Sequence, residues 1–408
     1  MGDLGGFKYF PMLLQRRSFI QVGSLATATM MMPKFLKAFE KPNYVPAGNK
    51  VVVVIQFSGG NDGLNTVIPI TNDIYYKERK TIGITKDKAL GLTDAVGLHP
   101  SLAAFKGLYD DGSLSIMNSV GYPNPDRSHF RSMDIWHSAS ASNEYVNTGW
   151  VGRYLDAQCK GCDKPTQALE LDDMLSLALK GTENKGLAFK DPRRLYSSSK
   201  EKFFKDINAA HTKTEETVDY LYKTMSETLS SADYIFQQSK LHPSSQAYPN
   251  TSLGKDLKTI SSLILSDINT KVYYVSLGSF DTHAGQEAQQ KRLFDELNDA
   301  IKAFTTDMKS NGRFEDVLMM TFSEFGRRVS QNASNGTDHG TANNMFFISG
   351  GLKQKGLLNA MPDLADLNEG DLKHKVDFRN VYATVLNNWL GVDDKGILGN
   401  SFERMNFV

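Results

Sequence analysis

The amino-acid sequence predicts an α/β protein built on a mostly parallel β-sheet, and two observations carry that prediction. Residues 51–57, VVVVIQF, form a continuous apolar and mostly β-branched run, which is typical of a parallel strand buried on both faces. Similar runs at 114–120, 272–277 and 317–322 alternate with stretches of helical periodicity. A chain of 408 residues has room for one large domain of this class with an insertion.

The composition is that of an ordinary globular protein and argues against one class of partner. Hydrophobic residues make up 40% of the chain and charged residues 23%. The 46 basic residues balance the 46 acidic ones, so the formal net charge is zero. This balance does not predict a surface that binds a polyanion, and we therefore do not expect nucleic acid as a partner.

The N-terminal segment has the features of an export signal. Arg16 and Arg17 precede a weakly apolar stretch, 22–32, that is too short to span a bilayer as a helix. A pair of arginines at this place resembles a twin-arginine signal, which is read by an export machinery that accepts folded cargo. We expect residues 1–48 to be signal and spacer, with no transmembrane anchor and a periplasmic or otherwise extracytoplasmic location in a bacterial cell envelope. The alternative is a basic amphipathic helix.

Residues 49–408 are expected to form the folded α/β domain. At about 190–250 the composition shifts to Lys, Glu, Ser and Thr with helical patterning, which predicts a helical insertion that covers the sheet. The two cysteines, Cys159 and Cys162, cannot form a structural zinc site by themselves. We expect them to be a structural or incidental pair.

The first predicted strand ends in a glycine-rich turn, GGNDG at 59–63. This turn matches neither the dinucleotide-binding fingerprint nor the P-loop, which also requires a lysine. A nucleotide-dependent enzyme is therefore a poor candidate, and Asp62 is better interpreted as a metal ligand at the end of a strand.

Polar residues that can bind metal or take part in catalysis follow each of the four predicted strands. In chain order they are Asp62, Ser128, His129, Asp281, His283, Glu324, Asp338 and His339. Because the carboxyl ends of parallel strands meet at one edge of a sheet, we expect these side chains to converge there.

Carboxylates combined with imidazoles suit zinc, manganese or iron, whereas a site weighted to carboxylates suits magnesium or calcium. The sequence therefore predicts one or two divalent ions of unknown identity. Ser128 stands at the start of a predicted helix, where free N–H groups favour an anion, although Asp126 or Ser128 could simply cap that helix. A metal beside such a hydroxyl suits phosphoryl or sulfuryl transfer, with Arg127 or Arg327 holding the ester oxygens.

Several segments resemble the domain-of-unknown-function 1501 family over nearly the whole chain. Beside the arginine pair they are FSGGNDGLNTVIP, RSHFRSMDIWHS, GSFDTH and TFSEFGRRVSQNASNGTDHGTAN. That family is grouped with the alkaline phosphatase and sulfatase superfamily, so the resemblance implies a three-layer α/β/α sandwich. It also implies a nucleophile at Ser128 and metal ligands at Asp62, Asp281, His283, Glu324 and His339.

One position departs from the superfamily pattern. A histidine usually follows the acid that corresponds to Glu324, and here the residue is Phe325. The resemblance then implies that His129 or Asp338 replaces the lost ligand, that a single ion binds, or that the site has decayed.

These observations together predict an exported, metal-dependent hydrolase of phosphate or sulfate esters, with a small-molecule or glycan ester as substrate. Attack would come from Ser128 or from a water molecule that the metal activates, and His129, Arg127 and Arg327 are further candidate catalytic residues. The alternative is a catalytically decayed binding protein of the cell envelope on the same fold.

Overall fold

The computed structural model describes residues 48–159, 166–201 and 216–408. The predicted α/β class is confirmed, because one nine-stranded sheet runs through the domain with helices packed on both faces. Its strands are β1 (Val51–Phe57), β2 (Leu114–Gly121), β3 (Ala168–Glu170), β4 (Leu187–Ala188), β5 (Val272–Leu277), β6 (Val317–Phe322), β7 (Asn343–Ile348), β8 (Gly356–Leu357) and β9 (Val376–Asp377).

The sheet is mixed but mostly parallel, as predicted. Neighbouring strands follow the order β8-β2-β7-β6-β1-β5-β3-β4, and β9 also pairs with β2. The exception is β7, which runs antiparallel to both β2 and β6. Two antiparallel steps make β2 parallel to β6, and β1 is parallel to both β5 and β6. Hence β1, β2, β5 and β6 all end at the same edge of the sheet.

The β1 strand shows why the sheet needs helices on both sides. Val51, Val53 and Ile55 belong to one hydrophobic cluster, whereas Val52 and Val54 belong to another. Successive side chains of a strand point to opposite faces, so a continuous apolar run buries both faces at once. This arrangement confirms the three-layer α/β/α sandwich.

Helices on each face supply the outer layers. They are α1 (Gly63–Thr66), α2 (Asp73–Glu78), α3 (Ala103–Asp110), α4 (His129–Ser138), α5 (Trp150–Gln158), α6 (Pro192–Ser199), α7 (Glu216–Leu241), α8 (Ser252–Leu265), α9 (Gln286–Ser310), α10 (Phe378–Thr384) and α11 (Asp394–Leu398). The first cluster contains residues of α3, α6, α7, α8 and α9, and the second contains residues of α4, α5, α10 and α11.

Shorter elements complete the described part of the chain. Strands at 67–68, 90–91 and 97–98 form a three-stranded sheet, 367–368 pairs with 371–372, a 3₁₀ turn covers 177–179, and a π-helical turn covers 385–389.

Two predicted segments fall partly outside the described residues. The signal and spacer lie outside them up to residue 47, and so do residues 202–215 of the predicted helical insertion. In the rest of that insertion the chain forms α6 and α7, which pack against each other and onto the sheet. The extent of the insertion as a unit of its own stays a prediction.

The cysteine pair is also only half described. Cys159 is buried at the end of α5, and its Sγ lies 3.0 Å from Gln167 Oε1. Cys162 lies outside the described residues. No helix within the described ranges combines the length and the apolar character needed to cross a bilayer.

Candidate metal centre

The candidate site lies at the sheet edge where β1, β2, β5 and β6 end. The turn after β1 contains Gly59 and Gly60, with φ angles of +117° and +76°. A Cβ atom added to Gly60 would lie 2.3 Å from Phe325 Cε2, and one added to Gly59 would lie 2.5 Å from Asp281 N. Glycine is therefore required at both positions for the loops after β5 and β6 to approach the end of β1.

Three histidines converge on one carboxylate at this edge. Asp281 and His283 follow β5, His339 lies in the loop between β6 and β7, and His129 is the first residue of α4. His283 Nε2 lies 3.0 Å from Asp281 Oδ1, and His339 Nε2 lies 3.1 Å from the same oxygen. The two Nε2 atoms are 3.0 Å apart. On the other side, His129 Nε2 lies 3.5 Å from Asp281 Oδ2.

The second nitrogen of each ring faces an oxygen acceptor. These acceptors are Glu324 Oε1 for His129 (2.9 Å), the Arg127 carbonyl for His339 (2.9 Å) and Asp338 Oδ1 for His283 (3.3 Å). Carbonyl and ionised carboxylate oxygens can only accept, so each ring can carry a proton on Nδ1 and leave Nε2 free to bind an ion. In that tautomer, which metal binding would require, the three Nε2 lone pairs would lie on the side of the Asp281 carboxylate.

This donor set fits a divalent transition-metal ion. Two atoms that bind one tetrahedral zinc ion at about 2.0–2.1 Å lie roughly 3.3 Å from each other. His129, Asp281 and His339 each offer a ligand atom, and these three atoms lie within 4.8 Å of one another. His283 Nε2 lies 3.0 Å from Asp281 Oδ1 and 3.0 Å from His339 Nε2. His283 Nε2 and His339 Nε2 are close enough to share either one proton or one cation. A set rich in imidazole suits zinc, manganese or iron better than magnesium or calcium. The cluster is also accessible, since Asp281 and His283 are each 45% exposed.

The Asp281 carboxylate is held in its ionised form. Partial burial by itself would raise the pKa of this carboxyl. Hydrogen bonds from Arg327 and His339 lower the pKa by a larger amount, and the resulting pKa is about 2. Arg327 Nη2 donates to Asp281 Oδ1 at 2.7 Å. A metal ligand must be deprotonated, and Asp281 meets that condition at any physiological pH.

Glu324 touches the cluster through His129. Its side chain is completely buried, and Oε1 accepts hydrogen bonds from Gly59 N at 2.8 Å and from His129 Nδ1. The hydrogen bond with Glu324 raises the pKa of His129, against a lowering by burial. Carboxylates commonly orient ligating histidines in this way, so these contacts favour an orienting role for Glu324 over the predicted ligand role.

Asp338 stands in the same relation to His283. Asn332 Nδ2 donates to Asp338 Oδ1 at 3.1 Å, and this hydrogen bond lowers the pKa of Asp338. Asp338 therefore remains a carboxylate that can hold the His283 ring.

Asp62, predicted to be a ligand, is engaged elsewhere. It is 1% exposed, and its Oδ2 lies 2.5 Å from Arg79 Nη1 and 2.5 Å from Gln286 Nε2. Its Oδ1 accepts from Leu64 N at 3.2 Å, which caps the short helix α1. Both oxygens are thus occupied by other protein groups.

Arg327, predicted to hold ester oxygens, is fully buried and bonded to protein. Besides Asp281, its donors reach the carbonyl oxygens of Gly59 (2.5 Å), Gly60 (2.6 Å), Thr337 (2.8 Å) and Phe280 (3.1 Å). These contacts tie together the loops after β1, β5 and β6 and leave the guanidinium closed to a substrate.

Arg127 is closer to the surface. Its side chain is 38% exposed, and Nη2 lies 2.9 Å from Asp371 Oδ2. Its carbonyl holds His339, so its backbone contributes to the cluster even though its guanidinium points to a different partner.

Ser128 is exposed immediately before α4. Its hydroxyl makes no cap hydrogen bond to that helix, and Asp126 Oδ1 instead accepts from Ser128 N at 2.7 Å. The alternative that Ser128 serves only as a helix cap is therefore not supported by the contacts, and its hydroxyl is open to solvent.

Residues 49–404 match the family model described as "Protein of unknown function (DUF1501)". The chain belongs to the DUF1501 family. No curated protein matches this DUF1501 chain.

Several solved structures are similar to the chain. A lipoteichoic acid synthase from Listeria monocytogenes is 10% identical, with 94% of this chain and 83% of that one covered and a TM-score of 0.40. A sulfatase from Pseudoalteromonas sp. is 13% identical, with coverages of 93% and 75% and a TM-score of 0.39. A protein in the alkaline phosphatase superfamily from Vibrio parahaemolyticus is 11% identical, with coverages of 95% and 78% and a TM-score of 0.35. At these TM-scores the likeness is distant and assigns no chemistry to the DUF1501 chain.

Phe325 forms a wall of the cluster in this DUF1501 protein. It is 2% exposed, and its ring centroid lies 4.5 Å from that of His339 and 4.9 Å from that of His129. It packs against the imidazoles that face Asp281 and fixes their tilt by contact. An apolar side chain therefore fills the place where a further ligand was expected.

Sequence reasoning did not identify Arg79 or Gln286 as neighbours of the site. Arg79 lies in a polar segment after α2 and Gln286 begins α9, and neither belongs to a motif. Each reaches Asp62 only through the tertiary fold, so the local sequence holds no signal for these contacts.

Proposed function

We propose that this DUF1501 protein is a metal-dependent hydrolase of phosphate or sulfate esters, with one centre held by His129, Asp281, His283 and His339. The observation that carries the proposal is the convergence of three imidazole Nε2 atoms on one ionised carboxylate, with each Nδ1 on an oxygen acceptor. Nε2 atoms grouped in this way around a carboxylate can share one cation.

An ion bound there would supply Lewis-acid charge that neutralises ester oxygens and makes a nearby hydroxyl or water more acidic. The first turn of α4 would contribute to binding the ester. Because α4 begins at His129, the free N–H groups of its first turn lie beside the ligands and favour the anionic oxygens of an ester.

Ser128 is the candidate nucleophile, and water is the other. The Ser128 hydroxyl is exposed at the start of α4 and makes no cap hydrogen bond. The variant Ser128→Ala separates the two routes, since loss of turnover with metal content unchanged would identify Ser128 as the attacking group. Unchanged turnover would leave attack to water.

The natural substrate is proposed to be a small-molecule or glycan ester outside the cytoplasm. The arginine pair at 16–17 motivates this location. Fractionation of cells that produce the full chain tests it: replacing both arginines with lysine should keep the protein in the cytoplasm, and export of that variant would count against a twin-arginine signal.

A catalytically decayed binding protein on the same fold is the second candidate. Two observations favour it: Phe325 fills the place expected for a ligand, and Arg79 already neutralises Asp62. Such a protein would keep its fold and lack turnover on any ester.

Metal analysis of the purified protein decides between these candidates. We expect close to one equivalent of zinc, manganese or iron in the wild type, and loss of that metal in His283→Ala with helical content unchanged. Aryl phosphate and aryl sulfate esters should then be hydrolysed by the wild type alone. If the protein binds no metal after incubation with each of these ions, the proposed hydrolase is wrong. If it binds metal but hydrolyses none of the esters, the binding protein is favoured.

A further inference from the structure

The ion pair between Asp62 and Arg79 is the most deeply buried charge pair near the centre. The two side chains are 1% and 0% exposed and lie 2.5 Å apart. Gln286 Nε2 donates to the same carboxylate oxygen. A buried carboxylate needs a cation beside it, because an uncompensated charge in the interior is strongly unfavourable.

Arg79 is held as firmly as its partner. Its remaining donors reach Asn65 Oδ1 and the carbonyl oxygens of Val329 and Arg328, at 2.8, 2.8 and 2.9 Å. All of these acceptors belong to the protein, so no ion could replace the guanidinium without leaving several of them unpaired.

The loop after β6 does not offer an alternative. Glu324 uses Oε1 for Gly59 N and for His129, and the next side chain is the phenyl ring of Phe325. Glu324 Oε2 has only a 3.4 Å contact from Ser323 Oγ, but both oxygens of Asp62 are occupied. Asp62 and Glu324 therefore cannot share an ion through one free oxygen each, although β1 and β6 are direct neighbours.

We propose that Arg79 permanently supplies the positive charge that a second ion would otherwise bring, so that the centre takes one ion and Asp62 is not a ligand. This inference rests on the proposed function, because it takes from there the four residues that would bind the single ion. It makes Asp62 and Arg79 a structural support of the glycine turn at 59–60.

Native mass spectrometry of the wild type with excess zinc measures the number of ions bound per chain, and it needs no variant. One tightly bound ion per chain is the expected result, and two would overturn the inference. If the wild type binds no ion, the proposed metal centre itself is wrong. Failure of the one-ion inference and failure of the proposed function therefore give different results.

Asp62→Asn is the second arm of the test. The variant should keep the single ion with affinity changed less than about threefold, while its unfolding midpoint drops because Arg79 loses its partner. His283→Ala is the matched control and should lose the ion. Loss of the ion in a folded Asp62→Asn protein, judged by circular dichroism, would show that Asp62 is a ligand after all.

A small cavity lies between α1, β2 and β7. Its volume is about 10 Å³, and Asn118, Ser119 and Asn344 are among the residues that line it. Asn118 Oδ1, Ser119 Oγ and Asn344 Oδ1 are all buried without a hydrogen-bond partner. The three residues are at least nine-tenths buried, with 1%, 3% and 8% of their surfaces exposed.

The orientation of both amides is set by their other ends. Asn344 Nδ2 donates to the Gly63 carbonyl at 2.9 Å, and Asn118 Nδ2 faces the Asn359 carbonyl at 3.4 Å. Both residues line the cavity, and their amide oxygens, together with the Ser119 hydroxyl, are polar atoms there that have no protein partner.

We infer that one water molecule occupies this cavity. A water can donate to both amide oxygens and accept from the Ser119 hydroxyl, which satisfies all three groups at once, and a volume near 10 Å³ is about that of one probe sphere. No lining residue is charged, so the site is chemically matched to a neutral ligand.

A crystal structure at about 1.5 Å resolution or better tests this assignment. One density peak at about 2.7–3.1 Å from the three oxygens is the expected result. An anomalous peak there after a rubidium soak would identify a monovalent cation, and an empty cavity would also overturn the inference. Ser119→Ala should weaken the peak and lower the unfolding midpoint, whereas Ser310→Ala at the exposed end of α9 should do neither.

Discussion

Glu324 is a single side chain through which a carboxylate reaches a histidine of the proposed centre without facing Asp281. It is fully buried, and it holds the Nδ1 of His129 at 2.9 Å. From the sequence it looks like a ligand, because it follows a strand directly. Its carboxylate contacts Gly59 N and His129 Nδ1, and these contacts support an orienting role in the proposed centre.

Glu324→Ala should weaken metal binding by about 10- to 100-fold, because His129 would lose the acceptor that sets its tautomer and direction. Competition with a chromogenic chelator measures the affinity. Glu324→Gln should have a smaller effect, since its amide oxygen still accepts from Nδ1. The exposed Glu287→Gln is the control, and an unchanged affinity in Glu324→Ala would contradict the orienting role.

At the scale of elements, the turn after β1 decides how closely the loops of the site approach one another. Gly60 has φ +76°, and a Cβ there would lie 2.3 Å from the Phe325 ring. Arg327 completes the same arrangement, since it donates to the carbonyls of Gly59 and Gly60 and to the carboxylate of Asp281. The turn and the arginine together hold the candidate ligands in one place.

Gly60→Ala should therefore lower the free energy of unfolding by more than about 2 kcal/mol, because it adds backbone strain and a steric overlap with Phe325. Gly278→Ala in the loop after β5 is a matched control, since a Cβ there meets nothing within 4 Å. Denaturant unfolding of both variants gives the comparison. Equal stability of the two would show that the Phe325 ring moves away freely.

The helix α4 has a similar importance for the ligand set. It places His129 at its first position and leaves the Ser128 hydroxyl uncapped, so one helix start contributes a candidate ligand and a candidate nucleophile. The sequence predicted the helix start after β2. It did not show that the His129 ring would lie between Glu324 and Asp281.

For the molecule as a whole, the buried carboxylate of Glu170 couples stability to pH. This residue ends β3 and is 3% exposed. Burial raises its pKa from 4.5 to about 8, although the backbone N–H of Ser176 donates to it and lowers the pKa in part. The folded protein therefore binds a proton that the unfolded chain releases above its ordinary pKa.

The direction of the change in stability with pH follows from the difference in proton binding between the folded and unfolded states. A raised pKa in the folded state means that the stabilising contribution is fully present below about pH 4.5 and is lost as the pH rises to about 8. The free energy of unfolding should fall over that window by an amount on the order of a few kcal/mol. Glu170→Gln keeps an acceptor for Ser176 N and should flatten this part of the profile. Urea unfolding at pH 5 and pH 8.5 makes the comparison, and parallel profiles for wild type and variant would contradict it.

The α/β class, the mostly parallel sheet and the positions of its central strands could be predicted from the sequence because they depend on local pattern. A β-branched run such as 51–57 is apolar at every position, and only a strand buried on both faces accommodates that. The same pattern predicted that Asp281, His283 and His339 would lie near strand ends at one edge. The convergence of these residues follows from parallel pairing, which the sequence already favours.

Only the tertiary structure decided which polar groups face one another. Asp62 pairs with Arg79, 17 residues away, and with Gln286, 224 residues away, and neither contact leaves a local trace in the sequence. Likewise, Arg327 could equally have faced a substrate or the backbone. Each buried charge must be compensated by the groups that the fold brings within about 3 Å. The packing of loops that are distant in sequence therefore determines the hydrogen-bonding partners of buried charges. The sequence by itself determined the frame and the kinds of ligand present, and the packing of the loops determined which of them meet.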